Sequence, residues 1–135
     1  MFHLFFKQNY NTVTTTYGTG GKSGNESSFN ASNGRHVIKI IKNLVYYDNE
    51  LVISYSSIDF SLSQTMLIFT NRDYQLGVVD NRAASFKLYF FQIYNNNTLI
   101  RDYIPVIDQT NRPCLFDKVE KKCYYNQGSG EFLYG

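Results

Sequence analysis

The chain has 135 residues, a formal net charge of +2, no tryptophan, 12 tyrosines and 11 phenylalanines. That length fits a single domain, residues 1–135, able to bury a core without disulfide staples, and the charge is too small to make nucleic acid the expected partner. Alanine is confined to Ala31, Ala83 and Ala84, while Asn, Val, Ile, Thr and the aromatics are frequent, which suits pleated strands joined by Asn and Gly turns and predicts an all-β protein.

In chain order, Phe2 to Gln8 and Thr12 to Tyr17 read as strands around a bend at Asn9-Tyr10-Asn11. Gly18 to Gly34 holds five of the nine glycines and reads as a long surface loop with room for a short strand around Phe29; Asn33-Gly34 signals a tight turn. Arg35 to Ile41, Leu44 to Tyr47 and Leu51 to Tyr55 form a predicted meander, turning at Lys42-Asn43 and at Asp48-Asn49-Glu50. Ser56 to Gln64 is irregular, Met66 to Phe69 is a predicted central strand, and Asn71 to Ser85 is a second long loop with at most one helical turn near Asn81 to Ala84. Phe86 to Tyr94 is the most hydrophobic strand, and Asn95-Asn96-Asn97 turns it into Thr98 to Ile107; this hairpin is expected at the heart of a sandwich, with the Tyr89, Phe91 and Ile93 face inward. Cys114 to Phe116 and Cys123 to Tyr125 form the last hairpin, followed by a corner at Gly128-Ser129-Gly130.

Several chemistries are disfavoured. No segment approaches the ~18 apolar residues that span a bilayer, and the apolar opening Phe2 to Phe6 has neither a basic leader nor a cleavage site. The spacing of Cys114 and Cys123 fits no common zinc pattern, and His3 and His36 are distant in sequence, so no metal or cofactor is expected. With the hairpin turning at Glu120-Lys121, Cys114 would face Gln127 and lie about 13 Å from Cys123, which predicts two free thiols. Asp48 and Glu50 are the nearest approach to a carboxylate pair, but Asn49 between them makes a turn, so no catalytic residues and no enzyme activity are expected. Arg101 and Asp102 point to opposite faces of their strand, one toward solvent and the other toward turn amides, and His36 reads as a rim residue.

The C-terminal third carries a pattern: Leu99, Arg101-Asp102, Ile104-Pro105, then Cys114-Leu115, Asp117, Val119, Lys122, Tyr124-Tyr125-Asn126, Gly128, Gly130 and Phe132. This order resembles the C-terminal signature of the laminin-G-like, concanavalin A-like lectin-glucanase family found in phage structural proteins and gut-bacterial surface proteins. The resemblance extends loosely through Arg35 to Ile40 and Ser85 to Tyr89, covering roughly residues 30–135. It implies a jelly-roll sandwich of two antiparallel sheets, here abridged at the N-terminus or completed by a partner chain. It also implies a location in a virion or on an extracellular surface. Fold analogy does not by itself assign a function.

Two functions fit that frame. The first is a non-catalytic, lectin-like binding module for a glycan or cell-surface ligand, and the second is a structural decoration or fibre component that contacts other virion proteins. For the first, amphipathic rings beside amide side chains suit sugar hydroxyls, which selects Tyr46, Tyr47, Tyr55, Tyr74 and Asn71 as candidate ligand contacts. Phe2, Leu4, Phe5 and Phe6 on an opening edge strand predict a homo-oligomer or a neighbouring virion protein at that edge.

Overall fold

Every regular element among the described residues is a β-strand, and every pairing is antiparallel. The computed structural model describes the backbone of residues 2–7, 12–17, 25–56, 71–72, 79–80, 86–127 and 132–133, and side chains within 12–15, 27–56, 86–127 and 132–133. The predicted bend at Asn9 to Asn11, the strand at Met66 to Phe69, the turn near Asn81, the Gly128 to Gly130 corner and Tyr74 all lie outside these residues. The chain divides into two compact units, Met1–Ser85 and Phe86–Gly135.

In the first unit, β1 (Phe2–Lys7), β2 (Thr12–Tyr17) and β3 (Asn25–Asn30) form one sheet in the order β1-β2-β3. Strands β4 (Ile38–Ile41), β5 (Leu44–Tyr47) and β6 (Glu50–Ser54) form a second sheet in the order β4-β5-β6. Their turns follow local chemistry. Asp48 and Asn49 have φ of 49° and 74°, a pair of positive angles that Asn and Asp tolerate and that matches the strand twist of a two-residue hairpin.

The two sheets pack in sandwich fashion. Val45, Ile53 and Tyr55 form the buried cluster, and Phe29, Ile38 and Val52 pack against it. Phe29 lies directly across from the buried Val13, so β2 and β3 present one apolar face to this cluster. The Tyr55 hydroxyl donates to the Thr15 carbonyl at 2.7 Å and also meets the Thr15 hydroxyl, so the phenol's polar end is satisfied inside the core.

The two predicted loops fare differently. The short strand expected around Phe29 is β3, in which Asn25 to Asn30 pair residue by residue with β2. Asn71 to Ser85 contains a short ladder, β7 (Asn71–Arg72) against β8 (Val79–Asp80). Turn-forming residues marked Asn71 to Ser85 as a loop, but ladder hydrogen bonds to a neighbour override local propensity.

The second unit is a four-stranded meander of β9 (Phe91–Asn95), β10 (Thr98–Ile107), β11 (Pro113–Asp117) and β12 (Lys122–Tyr124), in the order β12-β11-β10-β9. Phe91 pairs with Tyr103, and the rings stack at 6.1 Å; Tyr124 meets the other side of the buried Tyr103 edge-on at 5.5 Å. The Phe91 face is thus the packed one. The strand is shorter than expected, however. Among the described residues β9 is the last strand of the order, its ladder begins only at Phe91, and Phe86, Tyr89 and Phe90 are exposed. Phe86 and Phe90 belong to the face expected outward; Tyr89, expected inward, is exposed because it precedes the ladder, and hydrophobicity alone does not imply burial.

The last hairpin also has a different register. Asp117 faces Lys122 and Phe116 faces Cys123, leaving a four-residue turn rather than two. The Asp117 carboxylate accepts the Val119 N–H at 2.9 Å, which closes the wider turn, and Lys121 takes a φ of 55°. Cys114 and Cys123 therefore share a face as diagonal neighbours, about 7 Å apart rather than ~13 Å. Both are free thiols.

Arg101 and Asp102 do point to opposite faces, and each finds a charge from the 117–122 turn. Arg101 pairs with Asp117 at 3.5 Å and Glu120 at 2.6 Å, while Asp102 accepts from Lys118 at 2.5 Å and from Gln92 at 3.0 Å. No helix among the described residues is long and apolar enough to cross a membrane.

Candidate functional site

The segment Ala31 to Val37 joins the two sheets of the first unit, and its chemistry is concentrated. Gly34 takes φ +133°, a region that side-chain-bearing residues rarely enter, and this brings His36 back toward Ser32. The Asp48 turn reaches the same place from β5. Its carboxylate Oδ1 accepts the Val37 N–H at 2.8 Å, and its own N–H donates to the Val37 carbonyl at 2.9 Å. The two turns hold three functional groups in line.

Asp48 Oδ2 lies 2.7 Å from His36 Nδ1, and His36 Nε2 lies 3.1 Å from Ser32 Oγ. The Tyr47 ring stacks on the imidazole at 4.7 Å, and Phe29 supports that ring from 5.2 Å. Ser32 N–H donates to Tyr47 Oη at 3.2 Å, and the same Oη lies 3.5 Å from Ser32 Oγ. The imidazole is fixed at both nitrogens and on one face. A methyl group at position 34 would come within 3.4 Å of Nε2, so the glycine leaves the approach to that nitrogen open. The side chains remain accessible, at 22% exposure for His36 and 48% for Asp48.

Electrostatics follow from this contact. The hydrogen bond to Asp48 raises the His36 pKa; partial burial opposes it, and the Asp48 charge and the backbone at Asn33 and Ser32 reinforce it. The same hydrogen bond, with the Val37 N–H, holds the Asp48 carboxyl below its usual range.

The residues selected from the sequence separate. Tyr46 and Tyr47 are adjacent in β5 and take opposite faces. Tyr47 joins the His36 cluster. Tyr46 pairs with Lys39 on one side and Leu51 on the other, making a row on the face away from Val45. Tyr55 is 6% exposed and its ring belongs to the core. Asn71 opens β7, opposite Asp80, and Tyr74 lies outside the described residues.

Comparison with protein-family models, with curated proteins and with solved structures finds no match to this chain. The Ser32, His36 and Asp48 cluster was not among the residues selected from the sequence. Its members sit at spacings of four and twelve that match no motif; the only local signals were the Asn33-Gly34 and Asp48-Asn49 turns that bring them together. No group of three or more His, Cys, Asp or Glu side chains suited to a metal occurs among the described residues.

Proposed function

We propose that the chain is a concanavalin A-like, laminin-G-like binding module of a virion or extracellular surface, with a glycan or cell-surface ligand. The observation that carries this reading is the row Lys39, Tyr46 and Leu51 on the outer face of the second sheet, with Leu51 50% exposed and Ile41, two residues along β4 from Lys39, also exposed. A phenol ring flanked by a cation and an aliphatic side chain offers a stacking surface and hydrogen bonding together, which is what a pyranose ring requires. The antiparallel all-β architecture and the two packed sheets of the first unit support the jelly-roll assignment. The signature residues Arg101, Asp102 and Asp117 form ion pairs and turn hydrogen bonds, as architectural residues of such a family would.

A saccharide array probed with the full chain tests the reading. Binding to a defined glycan class, lost in Tyr46→Ala with the β circular dichroism spectrum retained, is the expected result. Binding unaffected by Tyr46→Ala would remove this row from the site, and no binding to any glycan would remove the lectin-like reading.

The second reading, a structural virion or fibre component, is favoured by the exposed aromatics Phe90, just before β9, and Tyr94, within it. Exposed aromatic side chains suit a protein partner or a second copy of the chain. Light scattering at micromolar concentration distinguishes this reading: a homo-oligomer supports it, and a monomer that binds glycan excludes it as the principal role.

A further inference from the structure

We infer that Ser32, His36 and Asp48 form a nucleophile relay that hydrolyses short-chain O-acyl esters, with Tyr47 Oη stabilising the oxyanion. The inference goes beyond the binding reading, because Tyr46 and Tyr47 lie on opposite faces of the sheet.

The geometry carries it. A serine nucleophile needs a base within about 2.6–3.2 Å, and the base needs a third group to fix its orientation. Ser32 Oγ lies 3.1 Å from Nε2, and Asp48 Oδ2 lies 2.7 Å from Nδ1, so the carboxylate selects the tautomer whose free lone pair faces the serine. Such an arrangement recurs on unrelated folds in any chain order, so the order Ser32, His36, Asp48 is no objection. Tyr47 holds the ring plane by stacking. Because Tyr47 Oη already accepts the Ser32 N–H, its own proton is free to turn toward an oxyanion beside Ser32 Oγ, 3.5 Å away. Gly34 keeps the space in front of Nε2 clear for the leaving group.

The steps balance with water as the only co-reactant. Ser32 Oγ bonds to the acyl carbon while its proton passes to Nε2, and the carbonyl oxygen becomes the oxyanion. The bond to the alcohol oxygen breaks, and that oxygen takes the proton from Nε2. Water then attacks the acyl-Ser32 carbonyl, giving its proton to Nε2. Ser32 Oγ leaves and recovers that proton, and the free acid is released. The relay is at the surface, with Ser32 exposed and His36 only partly buried, so it suits a small acyl group on a large polar carrier better than a long acyl chain needing a buried channel.

The experiment uses the full chain with a fluorophosphonate probe and with p-nitrophenyl acetate. The expected result is one phosphonyl group per chain, mapped to Ser32 by peptide mass, and none after denaturation. Labelling should vanish in Ser32→Ala and fall at least tenfold in Asp48→Asn, which keeps an acceptor for the Val37 N–H. Its rate should rise with pH as His36 loses its proton, a limb that Asp48→Asn moves to lower pH. Tyr47→Phe should reduce kcat for p-nitrophenyl acetate more than it changes KM. A purely structural clasp would move none of these readouts. Absence of label on Ser32 in the folded chain at pH 8 overturns the inference, and so does labelling that is equal in Asp48→Asn and the native chain when both give the same β spectrum.

Discussion

The carboxylate of Asp117 accepts the backbone N–H of Asp102 at 3.1 Å, tying the last hairpin to the middle of β10. Asp117 is 0% exposed, its Oδ1 also receives the Val119 N–H, and Arg101 Nε lies 3.5 Å from Oδ2. Removing this side chain orphans the buried Asp102 N–H and the part-buried Val119 N–H and leaves Arg101 with one partner fewer. Asp117→Ala should therefore cost on the order of 3 kcal/mol. Chemical denaturation checks it: a midpoint equal to the native chain's would show that the hydrogen bonds contribute nothing.

Acid should destabilise the second unit. Burial would raise the Asp117 pKa, but the amides of Asp102, Val119 and Glu120 and the charge of Arg101 outweigh it and hold it low. Lys118 and Gln92 lower Asp102, and the N–H of Arg112, the Tyr125 hydroxyl and Thr110 lower Asp108. Each folded pKa lies below the unfolded value of about 3.9, so the contribution is complete above that pH and is lost as pH falls through the folded values. His36 has the opposite sign: its raised pKa stabilises below about 6.5 and the effect fades as pH rises through the folded value. Stability measured from pH 2 to 7 should fall steeply only below about 4. A flat profile would remove these carboxylates from the balance.

Tyr55 tests the joint between the two sheets of the first unit. Tyr55→Phe keeps the ring in the core but removes the donor to the Thr15 carbonyl, and should cost about 1–2 kcal/mol. Tyr55→Ala also empties the cluster and should cost roughly 3–5 kcal/mol. Equal losses in the two variants would show that the hydroxyl, not the ring, holds the sheets together.

The cysteines report the register of the last hairpin. Cys114 is 2% exposed, and burial, with the neighbouring Cys123 thiol, pushes its pKa up to about 11. At pH 8 only about one part in a thousand is thiolate, the reactive form. Iodoacetamide should leave Cys114 unmodified over hours in the folded chain and modify it after denaturation. Substituting Cys123→Ser should lower the Cys114 pKa, because one of the neighbours holding it up is replaced. No change would place the two thiols apart, in the register the sequence first suggested.

Strands and turns governed by local chemistry were legible in the sequence. Thr12 to Tyr17, Leu44 to Tyr47 and Thr98 to Ile107 match their strands end to end, because alternation and turn residues such as Asn49 and Asn96 act within a few residues. What the tertiary structure decided is everything that depends on a distant neighbour. FKLYFFQIY reads as a strand from Phe86, yet its ladder begins only at Phe91, since the pattern records hydrophobicity and not which residues find a partner strand. The last hairpin shifted by two residues because Asp117 closes a wider turn with its carboxylate, an interaction the charged run Lys118 to Lys122 does not spell out. Tyr46, Tyr47 and Tyr55 are close in sequence but serve an outer row, an imidazole stack and a core. Ser32, His36 and Asp48 come from two turns on different sides of β4, so no spacing could announce them; only the closure of the hairpin brings a carboxylate, an imidazole and a hydroxyl within hydrogen-bonding distance.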